Sequence, residues 1–298
     1  MALDWFFFAL LTGFIYGGVE LFDKFVLNQE VSRASISAIV AKVPNFLIFA
    51  AVGIIQTEII FSLTNFILGF ILASLYIVSS YFYYEGISQE DVSRFIPTLS
   101  VNSVFIVILS FLFLGESFGV SEYVGMFLTI AGAILISVEK PQRGIHIFQS
   151  RKAVLMGIIA ALLWAVRDIF LKIGTSSVDI FLLLFWIGVN GIFLTLLSSV
   201  FAYHRMEDSE MRGYEHLLII GSLTAMGYLT FIKSLSLGPV SLASVIVKID
   251  SAIVFVGSII ISKLHPGIIR EKLDRDVLIQ KALALLMIIA GVILIQLF

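Results

Sequence analysis

Two stretches decide the fold: Tyr16-Gly17-Gly18-Val19-Glu20-Leu21-Phe22-Asp23-Lys24 and Trp164-Ala165-Val166-Arg167-Asp168-Ile169-Phe170-Leu171-Lys172. A shift of 148 positions (16 to 164) lays Glu20 on Asp168, Phe22 on Phe170 and Lys24 on Lys172, inside otherwise apolar runs. Apolar residues coincide easily by chance in such a composition; matched charges do not. The same shift carries Ala73-Ser74-Leu75 onto Gly221-Ser222-Leu223 and Asn102-Ser103 onto Asp250-Ser251. Near the end the shift grows to 159 (131 to 290), laying Ala131–Ile136 on Ala290–Ile295; the additional 11 residues (159 − 148) fall in the polar connector around His265–Asp276. The chain reads as a duplication: residues 1–140 form a first repeat, 141–152 a basic connector and 153–298 a second repeat.

Working outward, 59% of the 298 residues are hydrophobic and 13% charged, and the mean hydropathy is +1.06. A soluble domain carries about 25% charged residues, so lipid is the main solvent of this chain. A bilayer core of about 30 Å needs about 20 apolar residues per helix. Ten segments qualify, near 5–27, 34–55, 61–84, 93–114, 120–138, 153–173, 179–203, 214–236, 240–262 and 278–297. None alternates polar and apolar residues as barrel strands do. The expected fold is an all-α polytopic membrane protein of ten transmembrane helices in two five-helix repeats. Because five is odd, the second repeat enters the membrane inverted, a recurring plan of secondary transporters. The run Trp5–Val19 lacks the basic start and small-residue site of a cleaved signal and is expected to remain as a membrane helix.

Of nineteen Lys and Arg, six (Lys24, Lys42, Arg167, Lys172, Lys233 and Lys248) lie within segments. The others lie in or beside odd-numbered connectors, which the positive-inside rule places in the cytoplasm, with both termini outside. A charge at the membrane centre costs at least about 2.5–3.5 kcal/mol, so the intramembrane charges are expected to face a watery cavity or one another. Glu20 and Lys24, like Asp168 and Lys172, are spaced i,i+4 and can meet on one helical face, either as packing ion pairs or as substrate contacts. Lys42 stands two residues before Pro44, which bends a helix. Lys248 and Asp250 sit mid-segment in the ninth helix, with Asn102 at the position equivalent to Asp250. Arg167 can bind an anion bidentately or bridge to a neighbouring helix. Asn190, at the Lys42 position of the second copy, is a cavity residue or an interhelical hydrogen-bonding group. Tyr16, Tyr76, Tyr81, Tyr83, Tyr84, Trp164, Trp186 and Tyr228 are stacking candidates, though Tyr and Trp are also ordinary interface residues.

The substrate-binding candidates are therefore Glu20, Lys24, Lys42, Asn102, Trp164, Arg167, Asp168, Lys172, Asn190, Lys248 and Asp250. With no cysteine, no HExxH and no glycine-rich phosphate cradle, no catalytic, metal or cofactor site is expected, and the protein reads as a non-enzyme. The fifth and tenth segments carry almost no ionisable groups, and Gly125, Gly132 and Gly291 allow close helix contact. They are expected to act as scaffold or as the surface of a homodimer.

The stretch Leu112-Phe113-Leu114-Gly115-Glu116, followed by Gly125 and by Ile130-Ala131-Gly132-Ala133-Ile134-Leu135, resembles the end of a repeat in the drug/metabolite transporter superfamily, in its EamA-type ten-helix branch. The second copy departs from the pattern, with Lys263-Leu264 in the place of Gly115-Glu116. The resemblance implies a central cavity between segments 1–4 and 6–9, with 5 and 10 peripheral. It implies transport of amino acids, other metabolites, nucleotide sugars or phosphorylated sugars. It also implies termini in the cytoplasm, against the Lys/Arg distribution. The function expected is an alternating-access carrier of a small polar metabolite, amino-acid-like or anionic and open to proton coupling, in the plasma membrane. Its partners are the substrate and membrane lipid, with no nucleic acid; the alternative is a non-transporting scaffold or lipid-handling assembly subunit.

Overall fold

In a computed structural model, which describes residues 4–27, 34–89, 95, 98–137, 151–202, 211–264 and 275–297, the chain is built of α-helices. Within the first half these are α1 (Asp4–Leu27), α2 (Ala34–Val40), α3 (Val43–Gln56), α4 (Leu63–Ile87), α5 (Val101–Leu114) and α6 (Val120–Ser137). The second half holds α7 (Arg151–Ser177), α8 (Ile180–Ala202), α9 (Met211–Leu237), α10 (Val240–Val247), α11 (Ile249–Leu264) and α12 (Arg275–Leu297). Among the described residues eight membrane-length apolar columns result, plus the shorter apolar helices α5 and α6, and ten in all fits the sequence expectation. Helices are the available solution because lipid offers backbone N–H and C=O groups no partners. Helix ends fall where the sequence supplies caps. Asp179 accepts hydrogen bonds from Phe181 N and Leu182 N at 2.9 and 3.1 Å to start α8, and Gly115, at φ 67°, ends α5 in a left-handed turn that favours glycine.

Two expected segments differ from continuous helices. The second breaks at Ala41-Lys42 between α2 and α3, and the ninth at Lys248 between α10 and α11. Of the basic connector 141–152, only Arg151 and Lys152 fall within the described residues.

Helix contacts come in pairs related by exchange of the two halves. The α1–α9 contact has α7–α4 as its counterpart, α1 with α10 and α11 mirrors α7 with α5, and α3–α9 mirrors α8–α4. The α3–α8 and α6–α12 contacts map onto themselves. α6 and α12 stand at the edge, and their glycines face each other within the chain. A Cβ on Gly291 would lie 2.5 Å from Gly125 O, and one on Gly132 would lie 2.8 Å from Ala284 O. The close approach that these glycines permit is therefore used inside the protomer, while Phe127 and Leu286 point outward, 69% and 62% exposed.

Candidate functional site

The break in the second segment is fastened by one asparagine. Pro44 stands in the first turn of α3, where its missing N–H costs nothing. Next to it, buried Asn45 donates through Nδ2 to Ala41 O and to Gly221 O of α9, both at 2.9 Å. Its Oδ1 accepts from the Tyr76 hydroxyl of α4 at 2.9 Å. A carbonyl freed by the break is thereby satisfied, and three segments are tied at one point. Lys42 leaves this break with its ammonium 4.4 Å from the centre of the Tyr76 ring, within cation–π range.

The second break has no proline. Lys248 ends α10, and its N–H bonds Val245 O at 3.0 Å. The equivalent position in the first repeat is Ser100 (248 − 148), which directly precedes α5. Both copies thus start a helix one residue later, at Val101 and Ile249, and place Asn102 and Asp250 in its first turn. Small residues on the crossing helices make room. Gly13 and Gly17 of α1 sit against Val247, Ile249 and Asp250, and their counterparts on α7 are Ala161 and Ala165, with Ala161 O accepting from Asn102 Nδ2 at 3.1 Å.

Between these breaks lies a cavity of about 200 Å³. Tyr16 and Glu20 reach it from α1, Lys42 from the first break, and Tyr76, Ser80, Tyr83 and Tyr84 from α4. Asn102, Trp164, Arg167, Asp168, Thr224, Ser244, Lys248 and Asp250 complete its polar and aromatic wall. Towards the even-numbered connectors it is floored by a dense apolar core that includes Phe46, Phe49, Leu72, Ile106, Leu171, Leu183 and Leu235.

Three cations and three carboxylates line this space, and they are not equally available. Arg167 is bonded sideways to its neighbour: Nη2 and Nε lie 2.7 and 2.8 Å from Asp168 Oδ1. Its guanidinium carbon stands 5.1 Å from the ring centres of both Tyr76 and Tyr228. Those rings are 5.0 Å apart, and Tyr228 stacks on Phe49 at 5.2 Å. Asp250, only 3% exposed, takes hydrogen bonds among the described residues from the main-chain N–H and hydroxyl of adjacent Ser251 alone. Lys248 acts electrostatically on Asp168 and Asp250, yet among the described residues its ammonium makes no hydrogen bond or ion-pair contact.

Eight of the expected residues come together in this cavity: Glu20, Lys42, Asn102, Trp164, Arg167, Asp168, Lys248 and Asp250. Two do not. Lys172 forms no pair with Asp168; its ammonium donates to Leu235 O and Gly238 O, each at 2.7 Å, away from the cavity. Asn190 bonds Trp186 O at 2.8 Å and Phe66 O at 3.3 Å, and so joins α8 to α4. The side chain of Lys24, and with it the expected Glu20–Lys24 pair, lies outside the described residues. Sequence reasoning left Asn45 out. The signal was present: a single amide beside the only proline of an apolar segment.

Compared with known proteins, residues 3–138 match the family model of the EamA-like transporter family. No curated protein matches. One solved structure, described only as the crystal structure of a protein, superposes with a TM-score of 0.67 at 14% identity, covering 98% of this chain and 95% of its own. At that identity the likeness concerns the fold.

Proposed function

From the match of residues 3–138 to the EamA-like transporter family, a family of the drug/metabolite transporter superfamily, we infer that this chain carries a small zwitterionic metabolite by alternating access. The observation that carries this reading is the unequal availability of the cavity charges. Arg167 and Asp168 satisfy each other, whereas Lys248 and Asp250 offer an ammonium and a buried carboxylate with no counter-ion in contact among the described residues. Holding unpaired charge at membrane depth is costly, and a ligand bearing both signs removes that cost: its carboxylate meets Lys248 and its ammonium meets Asp250. A cavity of about 200 Å³ suits a ligand of amino-acid size and is below the range of about 300–1,000 Å³ typical of drug-sized ligands. Trp164 and Tyr83, with ring centres 5.8 Å apart and planes tilted by 38°, supply an aromatic wall for the substrate's apolar part. Asp250 is also the carboxylate placed to exchange a proton when the substrate ammonium leaves, since Asp168 is held by Arg167.

Uptake into proteoliposomes of radiolabelled amino acids, organic anions and sugar phosphates, with and without a pH gradient, tests this. Zwitterions are expected to move. Lys248→Met and Asp250→Asn are each expected to lower kcat/KM at least about tenfold, the loss of one charge-assisted contact. Flux of phosphorylated sugars alone would refute the zwitterion. Absence of flux across the whole panel would favour a scaffold instead.

A further inference from the structure

The Leu-Gly-Glu stretch and Lys172, neither of which the cavity uses, converge on a single elbow. α9 ends at Leu237 and α10 begins at Val240, with Gly238-Pro239 between them. Proline at the N-cap of α10 makes no side-chain capping bond, so the first N–H groups of α10 need an acceptor from elsewhere. Glu116 supplies it from the other half of the chain. Its carboxylate accepts from Val240 N at 2.8 Å and Ser241 N at 3.1 Å, and also from the Ser241 hydroxyl. The left-handed turn at Gly115 positions Glu116 for this contact. From the opposite side the Lys172 ammonium takes Leu235 O and Gly238 O, both at 2.7 Å. Trp5 of α1 completes the enclosure: its carbonyl accepts from the Ser234 hydroxyl at 2.7 Å, and its ring packs against Gly238.

A carboxylate at the start of one helix and an ammonium at the end of the one before it each complement the local helix dipole. Together they tie α5 and α7 to the elbow. Every group in this cluster lies on the side of the even-numbered connectors, beyond the apolar floor of the cavity. In sequence the other repeat differs at one of these two positions. Under the 148-position shift Lys172 has Lys24 as its counterpart, but Glu116 falls on Leu264, which has no acceptor.

We propose that Glu116 and Lys172 form a latch across the α9–α10 elbow that holds the even-connector side closed, and that its missing acid on the opposite side makes this closed arrangement the resting state. Two repeats of identical sequence would give the two openings equal energy; one latch breaks that balance. The proposal concerns which side opens and not what is carried, so it stands or falls independently of the cargo.

The absence of native cysteine makes single-cysteine probes clean. Ala9, 0% exposed in the floor of the cavity, is replaced by cysteine in the full chain in proteoliposomes without substrate, and its labelling rate with a charged thiol reagent is measured. Glu116→Gln or Lys172→Met in this background is expected to speed labelling about tenfold, since one of several charge-assisted bonds is lost. A second probe, Ala133→Cys, sits fully buried between α6 and α12, away from the elbow, and its rate is expected to stay unchanged. An unchanged rate at Ala9 would overturn the latch. So would an equal rise at both probes, which would mean general loosening in place of opening.

Discussion

Replacing Asp168 with alanine leaves the Arg167 guanidinium without its anion in a setting where side-chain exposure is 11% for Arg167 and was 5% for Asp168. Two bonds of 2.7 and 2.8 Å are lost. Breaking a buried pair by removing one partner costs about 3–5 kcal/mol, because the remaining charge stays desolvated. The rings of Tyr76 and Tyr228, each 5.1 Å away, return at most about 2 kcal/mol as cation–π attraction, so they soften the loss without cancelling it. Arg167→Met should destabilise by a comparable amount, less whatever Lys248 offers Asp168 electrostatically. The double variant removes both charges and is expected to fall within about 1–2 kcal/mol of wild type, since apolar replacement of a buried pair is often neutral. The assay is reversible denaturant unfolding in mixed micelles, read by tryptophan fluorescence and analysed as a double-mutant cycle. Single variants costing under about 1 kcal/mol, or effects that simply add, would refute the assignment of Arg167 to Asp168. The guanidinium would then be free for an anionic ligand, and the division of labour between Arg167–Asp168 and Lys248–Asp250 would have to be redrawn.

Two further perturbations probe the frame. Asn45→Ala removes the partner of the Tyr76 hydroxyl and of the Ala41 carbonyl, and takes from Gly221 O a bond additional to its place in the α9 ladder; it is expected to cost about 1–3 kcal/mol and to raise hydrogen exchange around residues 39–46, while Tyr76→Phe, which removes a single donor, should cost less. Gly291→Val places carbon within 2.5 Å of Gly125 O, so α6 and α12 must separate; crosslinking between cysteines at Ala133 and Ala284, both buried in that interface, should fall sharply, and unchanged crosslinking would show that the two helices do not depend on this contact.

Segment number and boundaries were legible in the sequence because hydropathy is a one-dimensional property and lipid leaves the backbone few alternatives. Depth and partner were less so. Lys172 shares a helical face with Asp168, since four residues turn the helix by about 400°, but four residues also advance it by about 6 Å. That rise moves the ammonium out of the cavity and onto the α9–α10 elbow. Angular periodicity carries no information about which neighbour waits at that height. The Arg167–Asp168 pair was hidden for a related reason: adjacent helical residues do not face each other, and only the long, flexible arginine chain allows its head to fold back. The break at Pro44 was signposted by its proline, whereas the break at Lys248 was not, because packing of α1 glycines against Val247 and Ile249 accompanies it and such packing joins residues more than 230 positions apart. What the repeat does make legible is where the halves disagree. Lys42 against Asn190, Ser100 against Lys248, Asn102 against Asp250 and Glu116 against Leu264 are equivalent positions with different chemistry. In the structure the first three pairs each put at least one member on the cavity wall, and Glu116 of the fourth holds the elbow. Symmetry accounts for two interchangeable openings, but a carrier with equal halves would have no preferred resting side and equivalent polar groups on both walls. Departures from symmetry therefore have to supply both the bias and the recognition, and a search for functional residues in such a chain does best to begin at the positions where its two copies differ.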